Sequence, residues 1–188
     1  MNKTAIIFIG PQGSGKGTQG KLLAKAKGYF YWEMGGILRE TAKQNTPLGQ
    51  KVKNLVDNGI LLPDDLLYEV VENQLKLIAG QNVIFDGIPR RLAQAKFLID
   101  YLKTQNITTI ITLFVSLPRE ASLSRLLKRA ETENRADDTK EKIELRLKQY
   151  ETETMPVLDF LKQQSTFFEI NGNQPIEVVT TDIKKIAV

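Results

Sequence analysis

The stretch Gly10-Pro11-Gln12-Gly13-Ser14-Gly15-Lys16-Gly17-Thr18 follows the apolar run Ala5 to Ile9 and opens a helical pattern. It matches G-x-x-x-x-G-K, with a strand before and a helix after, the context a phosphate-binding loop requires. Such a loop must turn its N–H groups inward, which glycine permits by tolerating positive φ. It must also end at a helix N-terminus, where the dipole favours anions. Lys16 then supplies a mobile cation for the β and γ phosphates of a nucleotide. The competing reading, a glycine-rich turn with an incidental lysine, needs strand, glycines, lysine and helix to coincide by chance. One position departs from the general pattern. Where Ser or Thr usually follows the lysine and binds magnesium directly, this chain has Gly17 and only then Thr18.

Outward from this loop, short β-rich runs alternate with amphipathic helical segments. Ala5 to Ile9, Tyr29 to Trp32, Asn82 to Phe85, Thr108 to Val115 and Thr166 to Ile170 are rich in β-branched or aromatic residues and bounded by turn formers. Between them Leu66, Leu67, Val70, Val71 and Leu75, and later Ile143, Leu147 and Tyr150, recur at helical spacing. The alternation predicts an α/β fold, a three-layer sandwich in which a five-stranded parallel sheet carries helices on both faces. Ligands in such sheets gather at the carboxyl ends of the strands. Residues 33–62 show helical patterning without a strand and are expected to lean off the sheet as a helical insertion. The segment Arg129 to Asp138 is polar throughout and reads as a solvated loop between helices. With no repeat and no low-complexity linker, residues 1–188 are expected to form a single domain.

Composition narrows the chemistry. The chain has 188 residues, 41% hydrophobic and 26% charged, with no Cys and no His. That removes thiol nucleophiles, imidazole bases and Cys/His zinc sites together. Carboxylates, Lys, Arg, hydroxyls, backbone amides or a bound hard cation must do the work. Lys plus Arg number 26 against 22 for Asp plus Glu, a net charge of +4. Spread over the chain this argues for neither nucleic acid nor membrane, whereas gathered in one cleft it suits an anionic substrate. Ile110 to Val115 is far too short to span a bilayer, and Ala5 to Ile9 lacks the length of a signal-peptide core, so a cytoplasmic protein is expected.

Gly-x-x-Gly-x-Gly-Lys-Gly-Thr-Gln resembles the phosphate loop of adenylate kinases and related nucleoside monophosphate kinases. Further matches follow in order: Gly35 to Arg39, Asp86-Gly87-Ile88-Pro89-Arg90 with Gln94, Arg125 to Arg129, and Arg135-Ala136-Asp137-Asp138 with Arg146. They extend the resemblance over nearly the whole chain, and the spacing from Arg129 to Arg135 is similar to the short-lid form of the family. The resemblance implies a P-loop kinase core formed by residues 1–32 and 63–188, a monophosphate-binding region at 33–62 and a short lid at 129–138. It implies reversible phosphoryl transfer, ATP plus AMP giving two ADP, with Mg²⁺ and without zinc, in a protein expected to act as a monomer.

It also implies roles. Gly13, Ser14, Gly15, Lys16, Gly17, Thr18 and Arg129 would bind ATP. Arg39 and Arg90 would hold the acceptor's α-phosphate, and Arg129, Arg135 and Arg146 would converge on the moving phosphoryl group with Lys16. Met34, Ile60, Leu61, Leu62, Gly87, Ile88, Pro89 and Gln94 would complete the acceptor site. Phosphoryl transfer needs alignment, water exclusion and neutralised charge rather than a general base, so an arginine-rich site suits it. Guanidinium makes paired bonds to phosphate oxygens and stays charged at any working pH. Asp86, at the carboxyl end of an apolar run, would accept hydrogen bonds from waters on magnesium, or else cap the following bend. Asp137 and Asp138 would either pair with lid arginines or cap the helix that begins near Thr139.

The resemblance breaks at Glu33-Met34-Gly35-Gly36, where the family reads Ser-Thr-Gly-Asp. Met34 would wall a purine or fill a gap in the helical region, and Glu33 would stand in for the missing carboxylate. This segment motivates a second reading, a kinase for UMP or CMP, and a third is a weakly catalytic nucleotide-binding protein. Gln94 pulls toward AMP, because an amide matches the donor and acceptor edge of adenine and the pyrimidine kinases tend to have asparagine there. Otherwise it is a polar residue on a solvated helix face.

Overall fold

A computed structural model describes residues 3–76, 78, 80–133 and 139–186. Its five strands are β1 (Lys3–Ile9), β2 (Phe30–Glu33), β3 (Val83–Asp86), β4 (Ile107–Ser116) and β5 (Thr166–Asn171). All neighbours pair in parallel, in the order β2-β3-β1-β4-β5. The expected parallel sheet is found, with boundaries displaced by a residue or two. Glu33 ends β2 opposite Asp86, so the helical insertion begins at Met34.

Side chains alternate along β1 between two cores. Ala5, Ile7 and Ile9 face a cluster with Trp32, Phe85, Val71, Leu98 and Leu161, while Ile6 and Phe8 face Leu23, Val115, Val179 and Ile183. The first cluster is closed by α4 (Asp64–Lys76), α5 (Leu92–Thr104) and α8 (Val157–Gln164), the second by α1 (Lys16–Lys27) and α9 (Ile176–Ile186). Period-two alternation with apolar residues at every position is what a strand covered on both faces requires. Each fully buried Ile or Phe contributes about 1.5–3 kcal/mol of transfer free energy. β1, buried from Ala5 to Ile9, is therefore a stiff mount for the loop it carries.

Residues 33–62 hold α2 (Met34–Ala42) and α3 (Pro47–Asp57). Pro47 starts α3 with φ already helical, and the Thr46 side chain caps it by accepting from the Gly49 N–H at 3.0 Å. α6 (Arg119–Glu133) and α7 (Lys140–Gln149) share a small core of Leu126, Ile143 and Leu147, and α7 passes into a π-helical turn at Tyr150–Thr154. Arg119 bridges both to that turn, pairing with Glu144 and, at 2.7 Å, with Glu151.

Here one expectation is corrected. Residues 129–133 continue α6 rather than forming a loop. Arg, Ala and Glu are strong helix formers, so a polar run prolongs a helix once Leu123, Leu126 and Leu127 have anchored its inner face. Asp137 and Asp138 lie outside the described residues, and the cap of α7 is Thr139, whose side chain accepts from the Lys142 N–H. Among the described residues no helix is long and apolar enough to cross a membrane.

Candidate active site

The chain leaves β1 toward β2 and leaves β4 toward β5, so the strand order reverses between β1 and β4. Ligand crevices in open parallel sheets lie at the carboxyl ends of such strands. A cavity of about 530 Å³ opens there, lined by the loop after β1, α2, the segment 59–62, Asp86, Gly87, Pro89, Arg90, α6 and α7.

The loop is built for an anion. Gly10 lies so close to β4 that a Cβ would run into the Val115 carbonyl oxygen, and Gly15 takes φ +94° just before α1. Gly15 has no side chain with which to cap α1, and the first turn holds no acidic residue. The leading N–H groups of the helix are left for an external acceptor. Lys16 folds back over the loop, its Nζ donating to the Gly10 carbonyl at 2.7 Å and the Pro11 carbonyl at 2.8 Å, with Ser14 Oγ at 3.4 Å. Burial pulls its pKa down to about 8. Asp86 opposes that shift, while Arg90, Arg146 and Arg129 add to it. Those arginines and Lys16 all line the cavity, so their positive charge is concentrated on one space.

Asp86 faces Tyr31, whose hydroxyl donates to Oδ2 at 2.7 Å. Burial first, then this carboxylate, pushes the phenol pKa well above its ordinary value. A Cβ on Gly17 would approach Asp86 Oδ2 to 3.3 Å, so a serine or threonine after the lysine would crowd the carboxylate. Among the described residues no three acidic side chains gather into a metal cage. A single strand-end carboxylate beside a phosphate cradle suits Mg²⁺, which keeps several waters and is otherwise held by phosphate oxygens. The residues present therefore fit a hydrated magnesium ion delivered with a nucleotide.

The cavity is also lined by Met34, Arg39, Ile60, Leu61, Leu62, Gly87, Pro89, Arg90 and Gln94. Gln94 is only 2% exposed, which excludes a solvated helix face. Its Oε1 accepts from the Arg90 N–H at 2.9 Å and its Nε2 donates to Asp64 Oδ1 at 2.8 Å, so its amide orientation is fixed from both ends. The Arg90 guanidinium is steadied by Nε donating to the Gly87 carbonyl at 3.0 Å. Met34 is buried yet reaches the cavity wall. Glu33 lines the cavity too, where burial works to raise its pKa, but Lys21 and Arg39 hold it below the ordinary carboxylate value. A Cβ on Gly36 would lie 3.7 Å from the Glu33 carboxyl carbon, so Glu33 fills the space beside the position where the family carries aspartate.

Two expected residues do not line the cavity. Ser14 is 2% exposed and Ile88 1% exposed, both turned into the protein. A loop residue adjacent to contact residues points inward as readily as outward, and the linear motif does not say which. Arg135 lies outside the described residues.

Sequence reasoning gave no role to Lys21, Tyr31, Asp64 or Arg91, nor to Arg125, although one of the family matches, Arg125 to Arg129, begins at it. Arg125 stands one helical turn before Arg129, lines the cavity and donates to the Gly13 carbonyl at 3.3 Å, so its i,i+4 spacing was a usable signal. Arg91 donates to the Leu62 carbonyl at 3.0 Å and pairs with Glu153 at 3.4 Å, tying the insertion to the π-helical turn. Nothing local in the sequence marks that contact or the one between Tyr31 and Asp86.

Residues 8–166 match the sequence profile of the adenylate kinase family. The chain is 40% identical over 182 residues to an adenylate kinase of a Cyanothece species, covering 96% of this chain and 93% of that protein. It is 38% identical over 168 residues to the adenylate kinase of Thermus thermophilus, covering 89% and 88%. To that of Phocaeicola vulgatus it is 35% identical over 179 residues, covering 95% of each.

Proposed function

The chain belongs to the adenylate kinase family, and from that membership we propose how its cleft moves a phosphoryl group between ATP and AMP. It is a nucleoside monophosphate kinase, a phosphotransferase, and its similarity to adenylate kinases does not favour the pyrimidine reading.

In this proposal the N–H groups of Gly13 and of residues 15–18, with the Lys16 ammonium, hold the ATP phosphates. Arg39 and Arg90 hold the AMP α-phosphate, and Gln94 presents its fixed amide to the adenine edge, with Met34, Ile60, Leu61 and Leu62 as the apolar wall. An α-phosphate oxygen of AMP attacks the γ-phosphorus as the bond to the β–γ bridging oxygen breaks, leaving ADP on both sides. No proton has to move, which explains why a site without histidine suffices. Lys16, Arg129 and Arg146, with Arg135 assigned by resemblance alone, stabilise charge on the equatorial oxygens. Mg²⁺ bound with ATP supplies further charge neutralisation, and Asp86 would hold it through water. Water left in the cleft would accept the phosphoryl group, so the reaction depends on its exclusion.

The observation that carries this reading is that Lys16, Arg90, Arg129 and Arg146 share one cavity at the strand-order reversal. Its test is a coupled assay with ATP, Mg²⁺ and a panel of nucleoside monophosphates. AMP is expected as the best acceptor. Absence of turnover with every acceptor would refute the kinase assignment, and preference for a pyrimidine would refute only the choice of AMP.

A further inference from the structure

Tyr31 and Asp86 stand on neighbouring strands, and their hydrogen bond of 2.7 Å crosses from β2 to the carboxyl end of β3. The phenol also reaches the Gly17 carbonyl at 3.4 Å. Its ring passes over α1 at Gly20, where a Cβ would come within 2.7 Å of the ring carbon Cε2. A Cβ on Gly17 would in turn lie 3.3 Å from Asp86 Oδ2 and 3.7 Å from the Tyr31 oxygen. Gly17 and Gly20, about one turn apart on α1, thus leave a groove that the tyrosine fills. Glycine inside a helix costs roughly 1 kcal/mol relative to alanine, so an aromatic ring that can lie only over glycine is a feature with a compensating use.

That use follows from the carboxylate. Asp86 and Glu33 are the acidic residues among the described cavity lining, and Glu33 is engaged by Lys21 at 3.2 Å and Arg39 at 2.9 Å. Among the described lining, Asp86 then remains for the waters of a divalent cation, and Gly17 brings no hydroxyl to help it. A carboxylate on one rotatable stem would present its oxygens in a range of orientations. The phenol donates one hydrogen bond to Oδ2 and leaves Oδ1 for water donors.

We propose that Tyr31 is a positioning residue: its hydroxyl fixes the Asp86 carboxylate so that a hydrated divalent cation bound with ATP meets Oδ1 in a set place, and Gly17 and Gly20 provide the groove that admits the ring. The inference rests on Asp86 as the acceptor for magnesium-bound water. Partners of directly ligating carboxylates are worth about 10–100-fold in metal affinity, and for a carboxylate that acts through water the low end of that range applies.

The test compares wild type, Tyr31→Phe, Gly20→Ala and Asp86→Asn. ATP binding is measured by titration calorimetry with Mg²⁺ and with a chelator, and the initial rate is followed against Mg²⁺ concentration. Tyr31→Phe keeps the ring and loses the hydroxyl. It should leave chelator-condition ATP affinity unchanged, weaken the Mg²⁺-dependent part and raise half-saturating Mg²⁺ about tenfold, with kcat recovering at high Mg²⁺. Gly20→Ala displaces the ring while keeping the hydroxyl and should produce the same shift, which serves if Tyr31→Phe folds poorly. A purely structural tyrosine would change thermal stability and leave the Mg²⁺ dependence alone. If Asp86→Asn alters the Mg²⁺ dependence and neither Tyr31→Phe nor Gly20→Ala does, the positioning role is wrong and the reading of Asp86 stands. If Asp86→Asn changes nothing either, that reading falls with it.

Discussion

The Glu33 carboxylate accepts a hydrogen bond of 2.9 Å from the Arg39 guanidinium, while Lys21 of α1 lies 3.2 Å from its other oxygen. Arg39 therefore lies folded back along its own helix: a Cβ on Gly35 would come 3.1 Å from Arg39 Nη1. An arginine assigned to an acceptor phosphate is already paired, and its partner is the carboxylate beside the space that aspartate would fill in related chains. If Arg39 holds the acceptor phosphate as proposed, that phosphate would have to take the guanidinium from Glu33.

Replacing Glu33 by glutamine removes both the competing anion and its repulsion of the phosphate. Partly exposed ion pairs are worth about 0.2–1 kcal/mol, so Glu33→Gln should lower the KM for AMP by about 1.4- to fivefold with kcat little changed. Steady-state kinetics with AMP varied at saturating ATP makes the measurement. A raised KM would mean that Glu33 holds Arg39 ready for the phosphate.

Asp64 supplies a separate test, because it fixes the Gln94 amide without lining the cavity itself. Asp64→Ala frees Nε2 to rotate, at a cost near that of one hydrogen bond, about 1 kcal/mol. KM for AMP should rise about fivefold and discrimination against pyrimidine monophosphates should weaken, with kcat nearly unchanged because base contacts are made equally in ground and transition states. An unchanged acceptor profile would show that Gln94 holds its orientation through the Arg90 N–H alone.

These pairs show where sequence patterning ends. The β-branched runs around Ile6, Ile84 and Leu113 declare buried strands because burial on both faces leaves an unbroken apolar signature. The phosphate loop declares itself because its glycines and lysine are contiguous. Tyr31 and Asp86 are 55 residues apart and Gln94 and Asp64 are 30 apart, and such contacts exist only after β2 pairs with β3 and α4 packs beside α5. Ser14 and Ile88 show a different limit, since being inside a motif does not determine which way a side chain turns. The polar run from Arg129 misleads because charge and helix propensity coincide in Arg and Glu.

Met34 tests the acceptor wall. It is 1% exposed, packs in the core with Trp32 and Leu38, and reaches the cavity. Met34→Thr removes apolar volume and introduces a hydroxyl, so stability should fall by about 1–3 kcal/mol. The ratio of kcat/KM for AMP to that for pyrimidine monophosphates should change with it. Thermal melts and the acceptor panel separate the two effects, and loss of stability with an unaltered panel would confine Met34 to packing.

Lys16 ties activity to pH. In the free enzyme its pKa is drawn down to about 8, chiefly by burial, so the ammonium that should neutralise phosphate charge begins to be lost there. kcat/KM for ATP should fall as pH rises through about 8. kcat should hold to higher pH, because bound phosphates favour the charged form. Stability carries the opposite sign. A lysine whose folded pKa lies below its unfolded value of 10.5 binds fewer protons when folded, so the cost of burying its charge is full below about 8 and is relieved between about 8 and 10.5. Over that window the wild type should gain stability relative to Lys16→Met, which has no proton to lose. Denaturant melts of both proteins at pH 7 and pH 10 measure the difference. Lys16→Met should also lose orders of magnitude in kcat while remaining folded, because it removes charge stabilisation at the transferring phosphoryl group. Parallel stability–pH curves for the two proteins would show that burial does not depress this lysine, and near-normal kcat would remove it from the phosphate site.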